Sequence, residues 1–245
     1  MKILNETVIE GGKQLEFEFE GRNCILCVPD NPRADKRVLW RAEFFHAFEK
    51  CDVEMFKKGW YRAYIQVSNM FGSPKSVEIM KKFHDFLVSE FGLCEKMVLV
   101  GLSRGGLYSA NYAATHPDDI AALYLDAPVL SVANWPFGLG KTERNQEEVE
   151  YALKAFDMSE EEIFKAKLQP LDNVEKIAKA DIPIVFVCGA ADTVVDHRDN
   201  TETFISDFGK LGGRYEYYAK PGCGHHPHGL EDPSPVIAFL EKHTK

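Results

Sequence analysis

The sequence predicts an α/β protein: a mainly parallel sheet flanked by helices, with N-terminal antiparallel strands and a short helical lid. Three observations predict it. Unbroken apolar runs, such as residues 97–100 and 184–188, have the length and the Val/Leu/Ile content of strands covered on both faces. These runs alternate with segments of helical period, which calls for right-handed crossovers between parallel strands. A Gly-x-Ser-x-Gly sequence, Gly101 to Gly105, joins one such run to one such helix.

The chain begins with two or three antiparallel strands over residues 7–28, where Leu15, Phe17 and Phe19 alternate with Glu16, Glu18 and Glu20 and Gly21 turns the chain. A proline-containing loop leads to the short strand Val38-Leu39-Trp40. Phe44, Phe48 and Met55 predict a helix over 44–58 that covers one face of the sheet. A strand over 60–67 and the loop 68–72 follow, then a helix with Ser73 as N-cap and Pro74 at its first position, ended by Gly92.

Past the serine turn, Leu107, Ala110, Asn111, Ala113 and Ala114 can line one face of a helix that His116-Pro117 ends. A strand over 120–125 runs into Asp126, and then the rhythm breaks: residues 131–180 carry no strand signal. They hold at least two amphipathic helices, one presenting Val149, Leu153 and Phe156, the other opened by the capping box Ser159-x-x-Glu162. An insertion leaving the C-terminal end of a strand lies over the site as a lid or pocket wall, or else packs away from it as a second helical layer. Strands over 184–188 and 215–219 and a closing helix over 233–243 complete the order, read as one domain over 1–245 with 131–180 as the lid insertion.

Composition narrows function. With 245 residues, 45% of them hydrophobic, the chain can bury one sizeable core. A net charge of −9 argues against nucleic acid or an anionic membrane as partner. No charged-plus-apolar leader and no bilayer-length apolar run is present, so a cytoplasmic location is expected. The six cysteines read as free thiols. Cys24-x-x-Cys27 lies within a strand, where residues three apart face opposite ways, and reads as core.

Ser103 is the candidate nucleophile. A strand-turn-helix this sharp holds its hydroxyl clear of the sheet beside a helix N-terminus, and side chains at Gly101 or Gly105 are expected to collide with neighbouring backbone. On these residues the sequence resembles the α/β-hydrolase superfamily over nearly its whole length. Its Gly101-Leu102-Ser103-Arg104-Gly105-Gly106 and Gly224-His225-His226-Pro227-His228 are similar to motifs of hydrolases among bacterial carbohydrate-processing proteins.

The resemblance implies a Ser-acid-His triad in that chain order, two backbone oxyanion donors and no cofactor. Asp192, in the turn after the strand over 184–188, matches the acid, with Asp196 and Asp126 as alternatives; His225 matches the histidine, with His226 next. The oxyanion donors fall on the N–H of Arg104 and on that of Arg41 or Ala42, where many relatives have His-Gly. Three histidines in one short loop, with no carboxylate or Cys ligand set identifiable nearby, predict no closed zinc site, and no metal is assigned.

Trp40, Glu43, Trp135 and His226 are the candidate substrate contacts, with Phe137, Lys141 and Arg144 nearby; Arg41 and Glu43 alternatively form a surface ion pair. Aromatic walls with charged hydrogen-bonding groups suit a sugar or phenolic ester better than a long acyl chain. The expectation is a serine carboxylic-ester hydrolase acting on a small-molecule or saccharide ester, as monomer or homodimer. A peptidase or amidase of the same fold, or a binding module without turnover, are the other readings.

Overall fold

The computed structural model describes residues 2–244. Nine strands form one sheet in the order β1-β2-β3-β5-β4-β6-β7-β8-β9. Strands β1 (Ile3–Ile9), β2 (Gly12–Phe19) and β3 (Arg22–Pro29) form an antiparallel meander, and β3 joins β5 (Tyr61–Ile65) antiparallel. From β5 onward, β4 (Val38–Arg41), β6 (Met97–Leu102), β7 (Ile120–Asp126), β8 (Ile184–Gly189) and β9 (Tyr215–Lys220) run parallel. All residues of β4, β6 and β8 are buried, as the unbroken apolar sequences of β6 and β8 require, and in β4 this includes Arg41.

Successive side chains of a central strand feed two cores. On one face Trp40, Leu99 and Leu123 pack beneath α2 (Pro74–Phe91), α3 (Gly105–Thr115) and α7 (Thr203–Lys210); on the other Leu39, Val98 and Val100 pack beneath α1 (Lys50–Lys57) and α8 (Ser234–His243). Cys24 and Cys27 join different clusters, on opposite faces of β3, and all six cysteines are free.

The segment 131–180 folds as α4 (Gln146–Phe156), α5 (Glu160–Lys165) and α6 (Val174–Lys179), and its Val149, Ala152, Phe156, Ile163 and Ile177 join the core above α3. Both bonds of the Ser159/Glu162 capping box are made. Ser73 stands at the N-cap of α2, yet its hydroxyl caps nothing and is buried without a partner among the described residues. No helix among the described residues is long and apolar enough to cross a membrane.

The predicted helix over 44–58 is corrected: only Lys50–Lys57 is helical. Phe44 and Phe48 adopt φ of 55° and 50°, which no helix accommodates, and both are exposed rather than packed on the sheet. Arg41 is the cause. Its guanidinium, 1% exposed, donates to the carbonyls of Phe44 (3.5 Å) and Ala47 (2.8 Å) and to both carboxylate oxygens of Asp52 (3.0 and 2.5 Å), drawing the loop around itself.

Candidate active site

Strand β6 delivers Ser103 to a turn with φ of 49°, a left-handed conformation that a non-glycine residue holds only when its surroundings impose it. They do: the Ser103 N–H donates to the Asp126 carbonyl (2.9 Å), and its carbonyl accepts from Gly106 and Val129 (both 2.9 Å). A Cβ at Gly101 would lie 2.6 Å from the Gly105 carbonyl oxygen, as expected for so tight a crossing. At Gly105 the expected collision is absent, the nearest atoms being 3.8 and 3.9 Å away. The collision belongs to Gly106, whose Cβ would lie 2.5 Å from that of Pro128 and 2.8 Å from the Val129 carbonyl oxygen. Gly106→Ala is therefore expected to destabilise the protein by about 1–3 kcal/mol, read as a lower urea midpoint.

The loop after β9 brings His225 Nε2 to 2.9 Å from Ser103 Oγ, while His225 Nδ1 lies 2.7 Å from Asp192 Oδ2. Asp192 Oδ1 accepts from the N–H groups of Val194 (2.8 Å) and Val195 (2.9 Å), so the carboxylate is held at both oxygens. Burial alone would raise its pKa; the His225 ring and those two N–H groups outweigh it and hold the carboxyl below its usual range.

The other acids considered lie elsewhere. Asp126 Oδ1 is 2.7 Å from His228 Nδ1, and its Oδ2 accepts from the Gly229 N–H (2.7 Å) and the Tyr124 hydroxyl (2.9 Å). Asp196 accepts from the Arg198 guanidinium (2.6 Å) and from the N–H groups of Arg198 and Asp199. Burial raises the Asp196 pKa, but these bonds bring it down to about 2. Since that is below its unfolded value of about 3.9, the stabilisation is full above pH ~4 and is lost as the pH falls towards 2. Urea midpoints should drop more steeply between pH 4 and pH 2 for wild type than for Asp196→Asn.

Around Ser103 lies a cavity of about 200 Å³ lined by Phe44, Ala47, Phe48, Leu102, His225, His226 and His228. His226 is exposed and its ring stacks on Phe48, with centroids 5.2 Å apart. Partial burial and the neighbouring His225 and His228 lower its pKa. Of the candidate substrate contacts, His226 is at the cavity and three others are not. Trp40 is fully buried in the central sheet, edge-on to Phe83 and Tyr112, because strand alternation turns it into the core. Trp135 stacks on Phe71 and lines a separate open groove of about 670 Å³ with residues 141–146, Thr193 and Val194, and Phe137 is buried.

Glu43 is 1% exposed and binds the Arg104 guanidinium through both oxygens (3.0 and 2.7 Å); Arg104 also donates to Glu148 of α4 (2.7 Å). Burial pushes the Glu43 carboxyl up against the pull of that guanidinium. The two readings of Arg41 and Glu43, surface pair or substrate contact, thus both give way to buried pairs with separate partners.

The N–H groups of Arg41 and Ala42, expected as oxyanion donors, are both turned into the sheet. Ala42 donates its N–H to the Val100 carbonyl (3.0 Å), which spends it in the sheet, and alternation along β4 turns the Arg41 N–H towards β5. The next N–H, that of Glu43, donates to no protein acceptor among the described residues, and neither does that of Arg104. A Cβ at Gly105 would sit 3.9 Å from the Glu43 nitrogen, which places that donor beside the serine turn.

Sequence reasoning missed Phe44, Ala47 and Phe48 as cavity walls, the Arg104 partners, the Asp126–His228 pair and Tyr108. The Tyr108 hydroxyl accepts from the N–H groups of Met70 (2.8 Å) and Phe71 (2.9 Å) and donates to the Val67 carbonyl (2.9 Å), pinning the loop after β5. For the phenylalanines a signal existed: they follow a central parallel strand at its C-terminal end, where ligands bind in such sheets.

A mainly parallel sheet in this strand order, with Ser103 on a strained turn between strand and helix, is the α/β-hydrolase fold. Residues 75–245, more than half of the chain, match the prolyl oligopeptidase family, and the chain belongs to it. Among solved structures, it is similar to a puromycin-hydrolyzing peptidase of Mycobacterium tuberculosis, with TM-score 0.71, 16% identity, and 94% of this chain and 38% of that one covered. An acylaminoacyl peptidase of Pyrococcus horikoshii matches with TM-score 0.68 and 15% identity over 99% of this chain and 42% of that one. An S-formylglutathione hydrolase from Agrobacterium tumefaciens matches with TM-score 0.65 and 14% identity over 99% and 97%. The chain therefore spans about two fifths of the length of the two peptidases. No curated protein matches it.

Proposed function

We propose that this protein is a serine carboxylic-ester hydrolase that works through an acyl-enzyme on a small acyl ester. The observation that carries the reading is the chain of contacts Ser103–His225–Asp192, at 2.9 and 2.7 Å, opening into a cavity of about 200 Å³ walled by Phe44, Ala47 and Phe48. That space suits a short acyl group and is too small for a long one.

In this reading His225 Nε2 takes the Ser103 proton as Oγ attacks the acyl carbonyl, and Asp192 holds the opposite N–H, fixing the tautomer and stabilising the imidazolium. The N–H groups of Arg104 and Glu43 receive the oxyanion; such donors act because they face charge present only in the transition state, each contributing about a hundredfold to a thousandfold in rate. His225 then protonates the departing alcohol, activates water, and the acid is released.

The alcohol side would extend towards the groove beside Thr193 and Val194, where Trp135 offers a ring face and Lys141, Asn145 and Gln146 offer polar groups. This suits a sugar or a phenolic alcohol. The 131–180 segment would then serve as a pocket wall, tied to the serine turn by Glu148. The second reading, a peptidase or amidase, is supported by the family match and by the peptidases of the same fold.

A panel of p-nitrophenyl esters of increasing chain length, acetylated sugars, feruloyl esters and matched amides decides between them. Turnover is expected to peak at short acyl esters and to vanish in Ser103→Ala. Amide turnover exceeding ester turnover overturns the reading in favour of the peptidase.

A further inference from the structure

The loop that carries His225 holds two more imidazoles, and their arrangement is not needed for acyl transfer. The rings of His225, His226 and His228 meet edge-on with centroids 4.8–4.9 Å apart, and one ring nitrogen of each lies within 4.8 Å of the others. Each of the two buried side chains is oriented by a carboxylate: His225 Nδ1 by Asp192 and His228 Nδ1 by Asp126, both at 2.7 Å. The carboxylates come from the ends of adjacent parallel strands, Asp126 closing β7 and Asp192 following β8.

A carboxylate that accepts from one ring nitrogen fixes the tautomer and leaves the lone pair on the other. That is the outer shell metal-binding histidines commonly carry. His226 has no such partner among the described residues; it is exposed, with its ring stacked on Phe48. All three line the same cavity as Ser103.

We propose that His225, His226 and His228 form a binding site for a divalent transition-metal ion such as Zn2+, and that the bound ion switches Ser103 off. Three neutral imidazoles are a ligand set such ions favour, with the fourth position left to water or to Ser103 Oγ. At a metal–nitrogen distance of about 2.0–2.1 Å the nitrogens must close to roughly 3.4 Å, a closure that would turn the exposed His226 ring from Phe48 towards the other two. The ion takes the Nε2 lone pair of His225 that otherwise meets Ser103 at 2.9 Å, so metal and serine compete for one nitrogen. The shut-off rests on Ser103 being the nucleophile; the binding does not.

Titration of tag-free protein with Co2+, followed by its visible d–d absorption and by displacement with Zn2+, tests the binding. One ion per chain is expected. His226→Gln and His228→Gln should each weaken it by about a hundredfold or more, and Asp126→Asn by about 10–100-fold. His226 is exposed, so its variant keeps the fold even if the other two do not. No absorption up to millimolar Co2+, or an unchanged affinity in His226→Gln, overturns the site. The shut-off is read separately as the rate of Ser103 labelling by a fluorophosphonate, which Zn2+ should slow and EDTA restore. Equal labelling with the ion bound overturns the shut-off, whereas no labelling of the metal-free protein overturns the hydrolase reading and leaves the binding result standing.

Discussion

Ser103→Ala is expected to lower kcat by about a millionfold on whichever ester the wild type turns over, because nucleophile and base act as a unit and losing either costs nearly as much as losing both. The substitution should leave the fold intact. Alanine fits the space of serine, and the left-handed turn is imposed by backbone bonds of residue 103 to Asp126, Gly106 and Val129 rather than by its hydroxyl. Binding of an unreactive substrate analogue should therefore persist in the variant, measured by calorimetry alongside the rate. A variant that retains more than about a thousandth of the wild-type kcat would mean that Ser103 does not attack, since its loss should leave only the oxyanion donors and substrate binding.

Asp192→Asn should cost about 10⁴-fold in kcat. The contacts give the reason. Oδ1 of Asp192 accepts from the N–H groups of Val194 and Val195, at 2.8 and 2.9 Å, so the asparagine must place its oxygen there. Its amide nitrogen then faces His225 Nδ1, donates to it, and drives the ring proton to Nε2 opposite Ser103. A ring protonated at that nitrogen cannot accept from the serine. Steady-state kinetics on Asp192→Asn and Asp126→Asn side by side check the assignment: a near-normal rate in the first with a dead second enzyme would move the acid to Asp126 and the base to His228.

The parallel core is legible because a continuous apolar run beside a Gly-rich turn leaves few structures open to it, and β4, β6 and β8 are indeed wholly buried. The turn at Ser103 and the stops at Gly92 and His116 are legible for a similar local reason: each depends on the conformational limits of the residues at that point. What the sequence hides is set by side chains far apart in the chain. Phe44 and Phe48 carry a helical spacing, and only the guanidinium of Arg41, satisfied by loop carbonyls, turns that stretch into a cavity wall. Trp40 illustrates the converse error. An aromatic residue one position from a strand end reads as a mouth residue until the pleat assigns it to the interior.

The Arg104–Glu43 pair has a further consequence for the two backbone donors. The residues whose N–H groups would receive the oxyanion are also the residues whose side chains clasp each other, so main chain and side chains close a ring through both donors. The side-chain pair thereby ties the two donors together before any substrate arrives. Glu148 draws the same ring towards α4, so a chain whose fourth helix is displaced should feel the change as a slower chemical step.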